Sequence, residues 1–423
     1  MNKGTKLRFK IHNILYDIYQ NNKNLDDLII KNEIDKESSE DIAFVHNVCL
    51  NSMRFYFHVN EIINTYIKKK SKIHQKILLI SGITQIVYLN FKEYAVIDCS
   101  VEIAKKLNIY HGLINACLKN ISLNKKDLNK TNIKFNNLPY WFQKQTTNLS
   151  KINKNSFLKN FNQEPDLHIV FKDEKKKEQF KEKIVNSSNN SGFLKQKKLI
   201  RNLSFYKEGH WWVQDFSSSF PLLNVNKKVL SKNNIDLCAA PGGKSFQVLS
   251  TKNTIILNDK SKKRLKITKE NLNRLNFKAE ILNKNALTIN SNKKFDFIIL
   301  DAPCSAIGTI RKNPEIFFKN KDPDFKNLIY IQMKMLKKAS ILLKNNGIIL
   351  YMVCSFLEIE TTNQIKHFLS KNKNFTLNKF FVNNHNDQHK KFINNNYMYT
   401  LPSTFKGYKI DGYFAAYLKK VNR

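Results

Sequence analysis

The stretch NIDLCAAPGGKSFQVLS, residues 234–250, joins a short apolar run, a turn with two glycines and the start of a helix. Strand-like and helix-like segments keep alternating after it; the strand-like ones are TIILND (254–259), KAEILN (278–283), FDFIILD (295–301) and GIILYMVC (347–354). This alternation predicts a parallel β-sheet with helices on both faces. We therefore expect an α/β domain over residues 233–423, whose last strand lies in DGYFAAYLKK (411–420).

The carboxyl ends of the predicted strands carry residues suited to ligand binding, because ligands of open parallel sheets bind at this edge. The ends are occupied by Cys238, Asp259, Asp301 and Cys354. The turn AAPGGK (239–244) matches neither GxGxxG nor GxxxxGK[ST], but its glycines allow close approach of a ligand to the backbone. An acid such as Asp259 typically accepts hydrogen bonds from ribose hydroxyls. Turn and acid together predict a cofactor that contains adenosine; a tight turn without a ligand is the alternative.

Two thiols follow two of these strands. LDAPCSAIG (300–308) places Cys304 three residues after Asp301, and YMVCS (351–355) contains Cys354. A buried, inert thiol is the general alternative, but loops at this edge of the sheet face the ligand crevice. A thiolate can attack C6 of a pyrimidine and make C5 nucleophilic enough to accept a methyl group, after which the thiol is expelled. Asp301 would hydrogen-bond N3 or the exocyclic amine of the base, which must be single-stranded or flipped out.

The charge of the chain indicates a polyanionic partner. Its 423 residues include 72 Lys and Arg but 34 Asp and Glu, which gives a net charge of +38. Nucleic acid is the expected partner. Codon usage in an A/T-rich genome would also raise the lysine content, although it would not explain the deficit of acids.

Other features exclude several classes of protein. The six cysteines form no CxxC pair, which argues against a zinc site and a disulfide scaffold and fits a reducing cytoplasm. No run reaches the eighteen apolar residues of a membrane span, and no signal peptide is recognisable. We expect a cytoplasmic monomer without a metal.

The region before the α/β domain divides into three predicted parts. Residues 1–127 contain no proline and have apolar residues at helical spacing, which predicts an all-α bundle. Residues 128–165 are predicted to be a linker with short helices, in which the aromatics of LPYWFQKQ (138–145) dock on a neighbour. Residues 166–232 are predicted to be a small α+β subdomain, with a strand at 166–173, a charged helix at 172–184 and a polar loop at 186–192.

Three motifs together carry a family resemblance: DLCAAPGGK (236–244), LDAPCSAIGTIRKNPEI (300–316) and YMVCS (351–355). They resemble the RNA cytosine-C5 methyltransferases of the Sun/Nop2 family, and GHWWVQDFSS (209–218) is similar to that family's entry segment. The helical region 1–127 resembles a NusB-type domain. The resemblance implies a NusB-like RNA-binding bundle followed by a Rossmann-like class I S-adenosylmethionine-dependent methyltransferase domain, and it implies methylation of cytosine C5 in 16S ribosomal RNA.

The resemblance also implies roles for individual residues. Cys354 matches the family's nucleophile and Cys304 the thiol that aids release of the product, while Asp301 completes the catalytic set. Arg311 and Lys312 match a basic pair that meets RNA phosphate. The implied contacts with S-adenosylmethionine are Cys238, Ala239, Ala240, Pro241, Gly242, Gly243, Lys244, Asp259, Asn285 and Asp301.

The chain departs from the family pattern at several positions. Val353 replaces the threonine before the nucleophile, Asn285 replaces an acid expected at the adenine, and Val170 and Lys172 replace an Arg-x-Asn motif. Methylation of tRNA is one alternative function, and a non-catalytic RNA-binding or ribosome-assembly factor is another. An amino-methyltransferase would show an Asn/Asp-Pro-Pro-aromatic motif where this chain has DAPC.

Overall fold

The structure is a computed structural model that describes residues 1–68, 71–196, 198–223, 225, 229–230, 233–290, 294–380 and 387–421. The chain forms two compact units. The first consists of residues 1–163 and 310–323, and the second of residues 164–309 and 324–423. These two units describe the packing of the chain. The division into four domains, 1–127, 128–165, 166–232 and 233–423, stays a prediction.

The first unit is helical, as the apolar spacing of residues 1–127 predicts. Ile11, Ile14, Leu15 and Ile18 lie on one face of the first helix and are fully buried. Ser38 caps the third helix by accepting a hydrogen bond of 3.2 Å from the backbone N–H of Asp41. The α-helices are Lys3–Asn21, Leu25–Lys31, Ser39–Arg54, Tyr56–Tyr66, Ile73–Ile83, Glu93–Lys106, His111–Leu123, Lys125–Leu128, Tyr140–Gln145, Lys151–Asn160 and Glu315–Phe318.

The segment predicted as a linker packs onto this unit through its aromatic rings. Trp141 and Phe142 are buried. The ring centroid of Phe142 lies 4.9 Å from that of Phe157 and 5.0 Å from that of Phe317. The expected docking of the aromatics near 140 is therefore found.

The second unit begins with a small antiparallel sheet. Its strands are β1 (His168–Phe171), β2 (Ile184–Ser188), β3 (Ser191–Leu194) and β4 (Trp211–Val213), in the order β2-β3-β1-β4. The charged helix predicted over 172–184 is shorter, Glu174–Glu178, because its lysine-rich sequence offers no apolar face. The polar loop predicted at 186–192 is wrong: β2 and β3 form a hairpin there, in which Val185 pairs with Phe193.

The large sheet contains the predicted strands, of which the first five are β5 (Asn234–Asp236), β6 (Ile256–Asn258), β7 (Ile281–Leu282), β8 (Phe295–Asp301) and β9 (Leu343–Val353). It also contains three strands that were not predicted, β10 (Phe375–Asn378), β11 (Ile393–Asn394) and β12 (Tyr397–Thr400). Two further strands, β13 (Ser403–Phe405) and β14 (Tyr408–Ile410), form a separate hairpin, and β15 (Tyr413–Lys420) returns to the large sheet. The helices of this unit are Glu174–Glu178, Phe216–Leu223, Gly243–Ser250, Lys262–Arg274, Phe325–Leu342, Thr362–Lys371 and Asp387–Lys390.

The order of this sheet is β11-β12-β15-β9-β8-β5-β6-β7, with β10 also paired to β15. Strands β5 to β9 pair in parallel, whereas β15 runs antiparallel to β9. The strand order reverses at β5, which has β6 on one side and β8 on the other. Ligands of such sheets bind outside the carboxyl ends at this reversal. The architecture is thus the predicted α/β methyltransferase type.

Burial on both faces of the sheet explains the continuous apolar runs of β8 and β9. Phe297 and Ile299 belong to the core on one face, and Ile298 and Leu300 to the core on the other. β8 and β9 are aligned so that Asp301 lies opposite Met352. The loops that contain the two thiols therefore leave the sheet at the same edge.

No helix in the described ranges combines the length and apolar character that crossing a bilayer requires.

Candidate active site

The turn after β5 leads into the helix Gly243–Ser250. The residue before this helix, Gly242, has a backbone conformation that only glycine adopts easily. Gly242 has φ +113°, and a Cβ atom there would lie 2.2 Å from Cζ of Phe246. Below the turn, Asp236 accepts hydrogen bonds from the Cys238 N–H at 3.2 Å and from the Ser245 hydroxyl at 2.8 Å. Burial raises the pKa of Asp236 to about 7. These contacts hold the turn at the carboxyl edge of the sheet.

Asp259 fixes the turn from the next strand. Its Oδ2 accepts a hydrogen bond of 3.2 Å from the Ala240 N–H, and its Oδ1 accepts one of 2.9 Å from the Ser261 N–H. Arg264 lies nearby, with Nη1 at 3.6 Å from Oδ2 of Asp259 and Nη2 donating to the carbonyl of Ala240. A carboxylate has about four acceptor positions, so Asp259 keeps capacity for ligand hydroxyls.

A cavity of about 360 Å³ opens at this edge of the sheet. Of the predicted site residues, its wall includes Cys238, Asp259, Asn285, Asp301, Cys304 and Cys354. Leu287, Ile331 and Met335 supply an apolar surface. The remaining members of the predicted turn, residues 239–244, are not part of this wall. The structure therefore brings four of the ten predicted cofactor contacts and both thiols to one cavity.

S-adenosylmethionine fits this cavity by size and chemistry. The volume lies in the range of small-molecule sites, and an apolar wall beside a carboxylate suits a base with an attached ribose. Asn285, where an acid was expected, is exposed, and its Oδ1 accepts a hydrogen bond of 3.1 Å from the Leu287 N–H. Asp259 and Asn285, together with Cys238 before the glycine turn, line the cavity and are the residues that would hold the cofactor.

The two thiols are in contact. Sγ of Cys304 lies 3.4 Å from Sγ of Cys354. The pKa of the Cys304 thiol is raised well above its ordinary value. The causes are the hydrogen bond with Cys354, burial, and the negative charges of Cys354 and Glu360. The raised pKa favours the protonated form of Cys304, and either sulfur can be the donor in the contact between the two thiols.

Asp301 is held by two side chains next to the thiols. Nζ of Lys244 lies 2.7 Å from Oδ2 of Asp301, and the hydroxyl of Tyr413 donates to Oδ1 at 3.0 Å. Burial disfavours the charged form of Lys244, but the charge and hydrogen bond of Asp301, together with Asp236, outweigh it and raise the pKa of Lys244. The pair is therefore an ammonium and a carboxylate, of which Asp301 lines the cavity.

Three of these positions were not assigned from the sequence in their observed roles. Lys244 was expected at the cofactor but pairs with Asp301. Tyr413, the first residue of β15, and Glu360, six residues after Cys354, were not singled out. Glu360 accepts hydrogen bonds of 2.6 Å from the hydroxyls of both Ser305 and Ser355. No local pattern in the sequence CSFLEIE (354–360) marked Glu360 as part of the site.

The two residues predicted to contact RNA phosphate, Arg311 and Lys312, differ in their exposure. Arg311 lies in the first unit with 1% of its surface exposed, and its carbonyl oxygen accepts a hydrogen bond of 3.1 Å from Nη2 of Arg54. The side chain of Arg311 is thus buried in this structure, whereas Lys312 is exposed, and contact of either with RNA phosphate stays a prediction. Val170 is a fully buried core residue, and Nζ of Lys172 lies 5.0 Å from the ring centroid of Phe277.

No three His, Cys, Asp or Glu side chains of the described residues are arranged to hold a metal ion.

Comparisons with known proteins identify the family of the chain. A family model described as "16S rRNA methyltransferase RsmB/F" matches residues 225–419, and one described as "NusB family" matches residues 5–123. "Ribosomal RNA small subunit methyltransferase B" of Proteus mirabilis is 30% identical over 79% of this chain and 84% of that protein. The protein of the same name from Shewanella oneidensis is 28% identical over 84% and 88% of the two chains.

Solved structures show the same fold. PH0851 is 18% identical and superposes with a TM-score of 0.69 over 99% of both chains. NSun6 from Pyrococcus horikoshii, solved with SFG, is 18% identical and superposes with a TM-score of 0.54 over 66% of this chain and 97% of that one.

A methyltransferase needs a methyl donor, and S-adenosylmethionine, which fits the cavity, is the cofactor of this chain. From the matching family models and the relatives that align along most of its length, the chain belongs to the RsmB/F family of 16S rRNA methyltransferases and carries a NusB-family domain.

Proposed function

We propose that this protein methylates C5 of a cytosine in 16S ribosomal RNA through a covalent bond between Cys354 and C6 of the base. The observation that carries the proposal is the contact of two thiols, 3.4 Å apart, in the wall of the cofactor cavity. The names of the relatives support 16S RNA as the substrate. The net charge of +38 fits an RNA partner.

Carbon C5 of cytosine is a poor nucleophile, so the base must first be activated. Cys354 bonds to C6, and the electrons of the C5–C6 double bond become available at C5. When bound, S-adenosylmethionine supplies an electrophilic methyl group. Loss of the C5 proton to solvent then breaks the S–C6 bond, restores the double bond and returns an electron pair to Cys354.

The neighbours of Cys354 suit these steps. As Cys354 leaves C6, the S–H group of Cys304, 3.4 Å away, donates toward its sulfur and stabilises the departing thiolate. The Asp301 carboxylate is an acceptor for the exocyclic amine of cytosine. The ammonium of Lys244, 2.7 Å from Asp301, offsets negative charge that develops on the base.

The test uses purified protein, methyl-labelled S-adenosylmethionine and two RNAs that lack modification, 16S ribosomal RNA and total tRNA. We expect label in 16S RNA and one new cytosine that resists bisulfite conversion. Label in tRNA alone would establish the alternative substrate. Label without a resistant cytosine would contradict methylation at C5, and RNA binding without transfer would indicate an assembly factor.

A further inference from the structure

A buried carboxylate, Glu360, lies between the loops that carry the two thiols. It is 0% exposed and ends the short turn Glu358–Glu360. Its Oε2 accepts hydrogen bonds of 2.6 Å from the hydroxyls of Ser305 and Ser355, and its Oε1 accepts the Ser305 N–H at 2.8 Å. Ser305 directly follows Cys304, and Ser355 directly follows Cys354. One carboxylate therefore links the two loops one residue away from each thiol.

The donors that surround Glu360 explain why this position needs a carboxylate. Besides the two serines, Nε2 of Gln332 donates to Oε1 at 3.2 Å and also to the carbonyl of Pro303 at 2.9 Å. The carboxylate thus accepts from four donors, all of them uncharged. A glutamine has one acceptor oxygen and two N–H donors, so it cannot serve all four. Burying a carboxylate among neutral groups costs folding free energy, which indicates that the link serves the site.

The backbone around Glu360 is also fixed. The Tyr351 hydroxyl donates to the Glu360 carbonyl at 2.8 Å, and the Ser355 hydroxyl accepts the Leu357 N–H at 3.3 Å. Tyr351 lies inside β9, the strand that leads to Cys354. The carboxylate is therefore held rigidly relative to the strand, and the loop of Cys304 is held to the carboxylate.

We infer that Glu360 is the positioning residue that keeps Cys304 in contact with Cys354, an inference that rests on the proposed covalent mechanism. Attack on C6 uses Cys354 alone, whereas release of the methylated base uses both sulfurs. Loss of the link lets the Cys304 loop move away, so the covalent intermediate forms but is resolved slowly. The negative charge of Glu360 acts in the same direction, because it helps raise the pKa of Cys304 and so keeps that thiol protonated.

The first test measures the distance between the thiols without RNA. Dibromobimane, which joins two thiols a few ångströms apart as each displaces one bromide, is added to wild-type protein, E360Q and the matched control E358Q. Glu358 is exposed and belongs to the same turn. Peptide mapping follows the Cys304–Cys354 bridge and separates it from Cys238, which lines the same cavity. We expect bridging in E360Q to slow at least about fivefold, and bridging in E358Q to match the wild type.

The second test measures turnover on 16S RNA. A displacement of about 1 Å in a catalytic group can reduce a rate by about 10²-fold, so we expect kcat of E360Q to fall between about tenfold and 10²-fold. KM for RNA and the affinity for S-adenosylmethionine should stay within about twofold. A covalent protein–RNA adduct should accumulate on a denaturing gel. A merely structural defect would lower binding and activity together without adduct.

Two further variants protect the test against misfolding of E360Q. S305A removes the hydroxyl bond of Ser305 to Glu360 but leaves its N–H bond, S355A removes the bond from the Cys354 loop, and both should slow bridging. Bridging at the wild-type rate in E360Q, or in both serine variants, would overturn the inference whatever the RNA activity. If wild-type protein itself neither methylates C5 nor forms an adduct, the proposed function fails, while the bridging measurement still decides whether Glu360 holds the thiols.

Discussion

The Sγ atoms of Cys304 and Cys354 lie 3.4 Å apart although fifty residues separate them in the chain. The parallel register of β8 and β9, with Asp301 opposite Met352, brings the two loops together. The pKa of Cys304 is raised, so its thiol stays protonated beside the Cys354 sulfur. The proposed mechanism gives the two thiols different roles, with Cys354 as the nucleophile and Cys304 as the group that aids its release.

Removal of either thiol should block a different step. We expect Cys354→Ala to lower methyl transfer by at least about 10³-fold, because no covalent bond to C6 can form. Cys304→Ala should instead trap protein on RNA as an adduct that survives a denaturing gel. Transfer of label and gel mobility measure the two effects. Adduct in Cys354→Ala but not in Cys304→Ala would reverse the roles, and full activity in both variants would exclude the mechanism.

The ion pair between Lys244 and Asp301 should contribute to stability as well as to chemistry. Asp301→Asn leaves the ammonium of Lys244 without its carboxylate, and we expect the free energy of unfolding to fall by about 3 kcal/mol. Tyr413→Phe removes the other hydrogen bond of Asp301 but keeps the charge, so it should cost about 1 kcal/mol. Chemical denaturation of both variants provides the comparison. Equal losses would show that the charge of Asp301 is not what stabilises Lys244.

The pKa of Asp236, raised from 3.8 to about 7 by burial, should make stability depend on pH. The raised group stays protonated in the folded state while the unfolded state ionises. Its contribution is therefore fully present below pH 3.8 and is lost as pH rises through about 7, a change of about 4 kcal/mol. Asp236→Asn does not titrate, so the variant should gain stability relative to wild type as pH rises from about 4 to about 8. Parallel curves of unfolding free energy against pH would contradict this.

A side chain at position 242 should destabilise the protein, because the backbone has a positive φ there and Phe246 occupies the space that a Cβ would need. Gly407 offers a matched control, since its φ is +80° but a Cβ added there would meet no atom within 4 Å. We expect Gly407→Ala to cost about 1 kcal/mol from backbone strain alone. Gly242→Ala should cost about 1–3 kcal/mol more through the clash with Phe246 and should weaken binding of S-adenosylmethionine. Calorimetry measures both, and equal effects in the two variants would contradict a steric role for Gly242.

Periodicity predicted those parts of the fold where burial dictates the pattern. β8 and β9 are buried on both faces, so their apolar runs are unbroken and easily recognised. The hairpin of β2 and β3 was missed because Ser187 and Ser191 are buried polar residues that hydrogen-bond one another at 2.7 Å. A polar sequence with internal partners looks like a loop until those partners are known.

The site residues that could be predicted are those whose position depends only on the strand that they end or follow. Asp259, Asp301, Cys304 and Cys354 each end or follow a strand, and the edge of a parallel sheet brings such positions together. Glu360 and Tyr413 depend on contacts between segments far apart in sequence, which no local pattern encodes. The burial of Arg311 was not predicted for a related reason. A basic residue in a motif is expected to be exposed until the packing of residues 310–323 is known.

The position of β15 has a consequence for the order in which the site is completed during synthesis. β15 pairs with β9, carries Tyr413 to Asp301, and begins beside Gly412, whose N–H donates to the carbonyl of Gly308 at 2.8 Å. A Cβ on Gly308 would lie 1.8 Å from the carbonyl oxygen of Gly412, so the two backbones touch directly. The loop of Cys304 thus gains its final support from residues translated about a hundred positions later. A nascent chain that already contains both thiols therefore lacks the contacts of Tyr413 with Asp301 and of Gly412 with Gly308 until β15 has been translated.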